Sequence, residues 1–259
     1  MLGMRCVREL GLPLTKNAKL IMGTDEESGS EDIAHYYASH PFAPYALSPD
    51  ADFPVTNIEK AHYSPRFSAS WEKTVSPGVR ILTLDGGIRV NVAPANCTCL
   101  VENADRIQLE AVLERVSWET DVSLTAAYEG NTAKITAVGV QAHASTPDEG
   151  KNAITATLQV LCALPLAQGA AEKTVQQLHE IFPYGDNRGK ALGIAMGDAV
   201  SGCLTLTFSM VHLDSSGFWG VFDSRDPLCA TEENTCHVTE AKMAAFGWEC
   251  KGSLGPAHA

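Results

Sequence analysis

A chain of 259 residues with 45% hydrophobic and 19% charged residues has the make-up of an ordinary globular protein, long enough for one large domain or two smaller ones. Its net charge of -12 excludes a phosphate-neutralising surface for nucleic acid and suits anionic membranes no better. Eight cysteines are too few for a disulfide scaffold, no apolar run reaches membrane-spanning length, and the first residues lack a secretory signal, so a reduced, cytoplasmic protein is expected.

In chain order, Met1, Met4, Val7 and Leu10 recur at helical spacing, and Gly11-Leu12-Pro13 stops the pattern. This helix has no capping residue before it, as if the chain began within an element. Lys19–Met22 reads as a buried strand ending in Gly23-Thr24-Asp25-Glu26-Glu27-Ser28-Gly29, and Glu31–Ser39 as a helix with Ser30 at its N-cap. Tyr45–Ser48 reads as a second short strand, again running into acids at Asp50 and Asp52. Helix, strand, helix, strand is the rhythm of an α/β layer on a parallel sheet, with both acidic clusters at one sheet edge.

From about His62 the texture changes. Ser64–Gly78 is rich in Ser and Pro and reads as a connection. Runs at 79–84 and 88–92 flank Asp85-Gly86-Gly87 and predict a hairpin, and Asp105–Val116 predicts a helix. Strands are expected at Val122–Ala126 and Ala133–Val138, and an apolar helix at Ala153–Leu164 before Pro165. Strict alternation over Leu204–Met210 predicts a strand with one buried and one polar face, turned by Asp214-Ser215-Ser216-Gly217 into a partner at Phe218–Phe222. The fold expected is therefore α/β: a partial catalytic domain with a parallel-type sheet at 1–62, an inserted α+β lid domain at 63–256, and the start of a return at 257–259.

Four features could carry chemistry. Asp25-Glu26-Glu27 and Asp50/Asp52 are carboxylates at two strand ends, suited to divalent ions and to taking a proton from bound water. His143 lies in Gln141-Ala142-His143-Ala144-Ser145-Thr146-Pro147, ahead of Gly150-Lys151-Asn152-Ala153, where a lone His is more often structural than catalytic. Arg225, in Asp223-Ser224-Arg225-Asp226-Pro227, could be paired structurally or could clamp a carboxylate with its planar fork. Cys97/Cys99 and Cys229/Cys236-His237 lack the spacing of structural zinc sites and read as free thiols.

The order and spacing of Gly23–Gly29, of Ser48-Pro49-Asp50-Ala51-Asp52-Phe53-Pro54-Val55, and of Ala142–Ser145 with Gly150–Ala153 resemble the dinuclear zinc peptidases that include aminoacylase and carboxypeptidase G, nearest to the peptidase V-type dipeptidases. The resemblance implies a metal-dependent dipeptidase acting on dipeptides or short peptides through metal-activated water. It implies two divalent metal ions, zinc above manganese or cobalt. Glu26 would be the general base, Glu27 a ligand of one ion and Asp50 of the other. His143 would stabilise the oxyanion, with Asn91 and Arg225 binding substrate, Arg225 at its C-terminal carboxylate. The family's His-x-Asp motif, bridging Asp and final metal-binding His find no match here, which leads to the expectation of an internal fragment, inactive alone. Two readings stand beside it: a non-catalytic binding or dimerisation module, and a glycosidase acid pair at Glu26 and Asp50. Monomers and lid-mediated dimers both fit, and no nucleic acid or membrane partner is expected.

Overall fold

The computed structural model describes residues 2–26, 30–47, 56–72 and 77–258. The chain divides into two compact units, Met1–Phe53 and Pro54–Ala259.

In the first unit, helix α1 spans Leu2–Glu9 and helix α2 spans Glu31–Ser39, close to their expected limits. Ser30 precedes α2 in a left-handed conformation and makes no side-chain cap. Asp25 does that work instead, accepting the Glu31 N–H at 3.0 Å, and the Ser30 N–H donates to the Asp25 carbonyl. Lys19–Met22 is not a strand. It has no ladder partner among the described residues, and Leu20 and Met22 are exposed, because the described segments around it supply no neighbouring strand to pair its backbone. Tyr45–Leu47 is likewise irregular, so the expected parallel-type sheet has no strand among the described residues of this unit.

The second unit is mixed α and β. Its strands are β1 (Ala61–Tyr63), β2 (Arg66–Ser70), β3 (Arg80–Gly86), β4 (Val92–Ala93), β5 (Asn96–Glu102), β6 (Ser123–Glu129), β7 (Thr132–Val138), β8 (Ala142–His143), β9 (Gly197–Asp198), β10 (Gly202–Cys203), β11 (Thr205–Leu213), β12 (Gly217–Asp226) and β13 (Glu249–Lys251). Helices α3 (Arg106–Thr120), α4 (Ala153–Cys162), α5 (Ala170–Ile181) and α6 (His237–Phe246) complete it. The main sheet is antiparallel, in the order β13-β2-β12-β11-β3-β5-β7-β6, with β1 pairing the end of β12. Because β1 ladders onto β12 and Glu59 bridges His258, residues on both sides of the expected boundary at His62 belong to this unit.

Local chemistry explains most elements. Asp105 caps α3 by accepting the Gln108 N–H, and Gly130 turns β6 into β7 at φ +59°. The apolar stretch of α4 is buried along most of its length and packs against β5, β7 and β11. Phe67 is fully buried at the centre of an aromatic cluster with Phe182, Phe208, Phe218, Phe222 and Trp248.

Three expectations need correction. Ser64–Gly78 contains a strand, β2, whose short polar sequence gives little periodicity and whose pairing comes from β12 and β13. No hairpin forms at Asp85-Gly86-Gly87. The run 88–92 leaves the sheet, with Ile88 exposed, while β3 pairs with β5 and β11. Gly87 instead brings the chain, at φ +77°, hard against the backbone of Ser209. Third, β11 does not have a polar face open to water at its start: Thr205, Thr207 and Ser209 are buried. The segment that carries His143 and Asn152 meets the first two, Ala144 at Thr205 and Asn152 at Thr207, and Gly87 lies against Ser209.

Candidate functional site

Strands β4 and β8 form a two-stranded sheet of their own, pairing Val92 with His143. Extended by one residue, that register sets Asn91 opposite Ala144, the residue after His143. The Ala144 N–H then donates to the Asn91 carbonyl at 2.9 Å. The Ala144 carbonyl accepts from the buried Thr205 hydroxyl at 3.1 Å. Thr205 is the Cα partner of Arg225 across the β11–β12 ladder. One residue, the fully buried Ala144, therefore connects the segments bearing Asn91, His143 and Arg225 through its N–H and its carbonyl.

A second tie runs through Asn152. Its side-chain oxygen caps α4 at Ile154 and Thr155, while its amide donates to the Phe208 carbonyl at 2.9 Å. The Gly150–Ala153 motif is thus structural in this unit: it starts a helix and pins it to β11. The two ends of this loop are held by paired backbone hydrogen bonds between Val140 and Lys151, and Gly139 leaves room for them, since a Cβ there would sit 1.9 Å from the Lys151 carbonyl oxygen.

Arg225 is not isolated. Its Nε donates to Asp223 Oδ1 at 2.9 Å and its Nη2 to Asp223 Oδ2 at 3.2 Å, a fork on a fully buried carboxylate. His62, on β1, shares that carboxylate through Nε2 at 2.9 Å. Ser64 Oγ meets the same Nε2 at 2.7 Å. Since Asp and Ser address one nitrogen rather than opposite ones, this is not the relay of a serine hydrolase. The arrangement fixes the guanidinium plane and leaves its Nη1 without a partner among the described residues.

The residue after Arg225 is a second buried acid. Asp226 accepts from the Ser224 hydroxyl at 2.8 Å, and its Oδ1 has no partner among the described residues. Burial, with Asp223 nearby, raises its pKa to about 7 against the opposing pull of the Ser224 hydroxyl, His62 and Lys60. Sequence reading singled out Arg225 but missed Asp223, Asp226, His62 and Thr205. The alternation Asp-Ser-Arg-Asp was the available signal, though it does not say which acid meets which cation.

Glu26 is exposed in the first unit. Glu27 and Asp50 lie outside the described residues. Among the described residues no group of three or more His, Cys, Asp or Glu is placed to hold a metal ion. All eight cysteines are free, with Cys97, Cys99 and Cys236 buried and Cys229 exposed. Burial raises the Cys97 thiol to about 12, as expected of a packing residue and not a ligand.

Comparison with known proteins decides the lineage. Residues 129–212 match the peptidase dimerisation domain of the M20 group. The Beta-Ala-Xaa dipeptidase of Lactobacillus delbrueckii subsp. lactis is 31% identical over 218 residues, covering 83% of this chain and 45% of that protein. The chain belongs to the M20 peptidase family, near its dipeptidases. A Bacillus subtilis (strain 168) protein named "Putative dipeptidase YtjP" is 29% identical over 204 residues, covering 78% of this chain and 44% of its own length. The chain spans about half the length of the curated relatives it matches. Among solved structures, the aminoacylhistidine dipeptidase of Vibrio alginolyticus overlaps 78% of this chain and 45% of its own at 10% identity and a TM-score of 0.35, too loose for any residue correspondence. No helix among the described residues is long and apolar enough to cross a membrane.

Proposed function

We propose that this M20 chain supplies the base and the substrate-gripping part of a metal-dependent dipeptidase acting on dipeptides or short peptides. The observation that carries the reading is Ala144, whose N–H and carbonyl couple the segments of Asn91 and His143 to the strand pair bearing Arg225. An oxyanion donor and a carboxylate clamp at a fixed separation suit a short peptide with a free C-terminus. In this reading the second unit acts as the lid, and the first contributes Glu26 as base. Glu27 and Asp50 would each ligate one of two divalent ions, zinc first; these lie outside the described residues, so the ions rest on the family resemblance. Bound, such ions lower the pKa of a shared water. The cytoplasm is the proposed location, from the reduced cysteines.

The test is a titration of the ¹⁵N-labelled chain with Gly-Leu and with Gly-Leu amide. The acid is expected to shift the signals of Arg225 and His143 at least several-fold more than the amide. Equal shifts from both ligands would refute the clamp.

A second reading, a dimerisation module, is favoured by a particular surface. Strand β6 lies at the end of the sheet, and α3, packed beside it, exposes Ile107 at 82% and Trp118 at 88%. Eleven residues apart, these two lie on one helix face. If a second copy covers them, sedimentation of the chain will show a dimer, and Trp118→Glu will weaken it at least tenfold; a concentration-independent monomer rules this reading out.

A further inference from the structure

The ring of His143 folds back on its own turn. The Ser145 N–H donates to His143 Nδ1 at 3.1 Å, and Ser145 Oγ lies 2.7 Å from the same nitrogen. A hydroxyl can give or accept, so the Oγ contact alone does not say where the ring proton is. A backbone N–H can only give. Nδ1 must therefore present its lone pair, and in the neutral ring the single proton sits on Nε2. The side chain is exposed, and Nε2 has no hydrogen-bond partner among the described residues of its unit.

We infer that Ser145 is a positioning residue that makes His143 an outward-facing hydrogen-bond donor through Nε2, the ligand being an acceptor oxygen such as a carboxylate or a polarised carbonyl. The same geometry removes two other roles. Nε2 has no lone pair to offer a metal ion or a proton unless the ring proton moves to Nδ1, where the Ser145 N–H already points. Ser145 thus decides between donor, ligand and base at a residue whose type alone permits all three. Histidine's proton position usually follows from the bond its other nitrogen makes, and here that bond is local and set by the turn. The Ala144 carbonyl and N–H, both engaged as described above, keep that turn from relaxing.

The inference deepens the proposed role of His143, and its test does not depend on peptide hydrolysis. The ¹⁵N-histidine-labelled full chain is examined by long-range ¹H–¹⁵N correlation at alkaline pH, with His143 assigned through His143→Gln. The expected result is the Nε2–H pattern at His143. Ser145→Ala keeps the backbone donor and should keep this pattern. Ser145→Pro removes both the N–H and the hydroxyl, and the Nδ1–H form should rise several-fold. Zn²⁺ added to the wild-type chain should leave the His143 signals in place. An Nδ1–H pattern in the wild type would overturn the inference, as would an unchanged tautomer in a folded Ser145→Pro chain. Should that variant fail to fold, the wild-type pattern and the Zn²⁺ titration still decide, because zinc capture at Nε2 with the proton moved to Nδ1 contradicts it. A dipeptide titration that fails while the Nε2–H pattern holds removes the dipeptidase reading and leaves Ser145's role intact.

Discussion

Replacing Gly87 by alanine is expected to cost about 4 kcal/mol of stability, enough to unfold many domains outright. The backbone there is left-handed at φ +77°, and a Cβ would stand 1.8 Å from the Ser209 carbonyl oxygen and 3.0 Å from the Met210 Cα. Both neighbours are backbone, so no side chain can swing aside. Ser209 sits at the bulge where the β11–β12 register shifts between Phe208 and Met210, so giving way there means rebuilding a ladder. The measurement is urea unfolding of Gly87→Ala beside Gly130→Ala. Gly130 has φ +59° but nothing within 4 Å of an added Cβ, so it isolates the cost of the left-handed backbone, about 1–2 kcal/mol. Equal losses in the two variants would show that the close approach to Ser209 carries no weight.

Asp226→Asn is expected to flatten the pH dependence of stability. The group's folded-state pKa is raised, from 3.8 to about 7, chiefly by burial. The folded chain therefore holds this proton over a range in which the unfolded chain has released it. The stabilisation is full below pH 3.8, declines as pH rises between the two values, and is gone above about 7. Three pH units correspond to roughly 4 kcal/mol as an upper bound. Asparagine keeps the shape and the acceptor for the Ser224 hydroxyl but carries no charge at any pH. Unfolding free energies followed from pH 4 to pH 8 should show the variant gaining on wild type as pH rises; parallel curves would mean that Asp226 ionises without penalty.

The hairpin of β11 and β12 was readable because Leu204–Phe222 combines alternation with an Asp-Ser-Ser-Gly turn, both local signals. Helices α2, α3 and α4 were readable for the same reason. Gly86-Gly87 misled because two glycines signal a turn as readily as a close approach, and the distinction lies with Ser209, more than a hundred residues away. Polar Thr205 and Thr207 looked solvent-facing because a sequence does not show what covers a strand. Lys19–Met22 looked like a strand because its apolar run is right, but a strand exists only with a neighbour. For the site, the residue types at His143, Asn91 and Arg225 could be named from the resemblance. Their juxtaposition is a matter of register: Val92 opposite His143, and Thr205 opposite Arg225. The buried partners that aim them are long-range pairings with no local signature.

The Ala144 linkage acts as the fixed jaws of a caliper. Both jaws belong to one unit and are joined through backbone and a buried hydroxyl, so any motion of that unit carries them together and does not change their opening. A peptide seated by its carboxylate on Arg225 keeps its last peptide carbonyl within one residue's rise of that carboxylate, about 3.5 Å, whatever its length. In the proposed reading, the choice of which bond meets the imidazole is then a property of this unit alone, before any metal or water takes part.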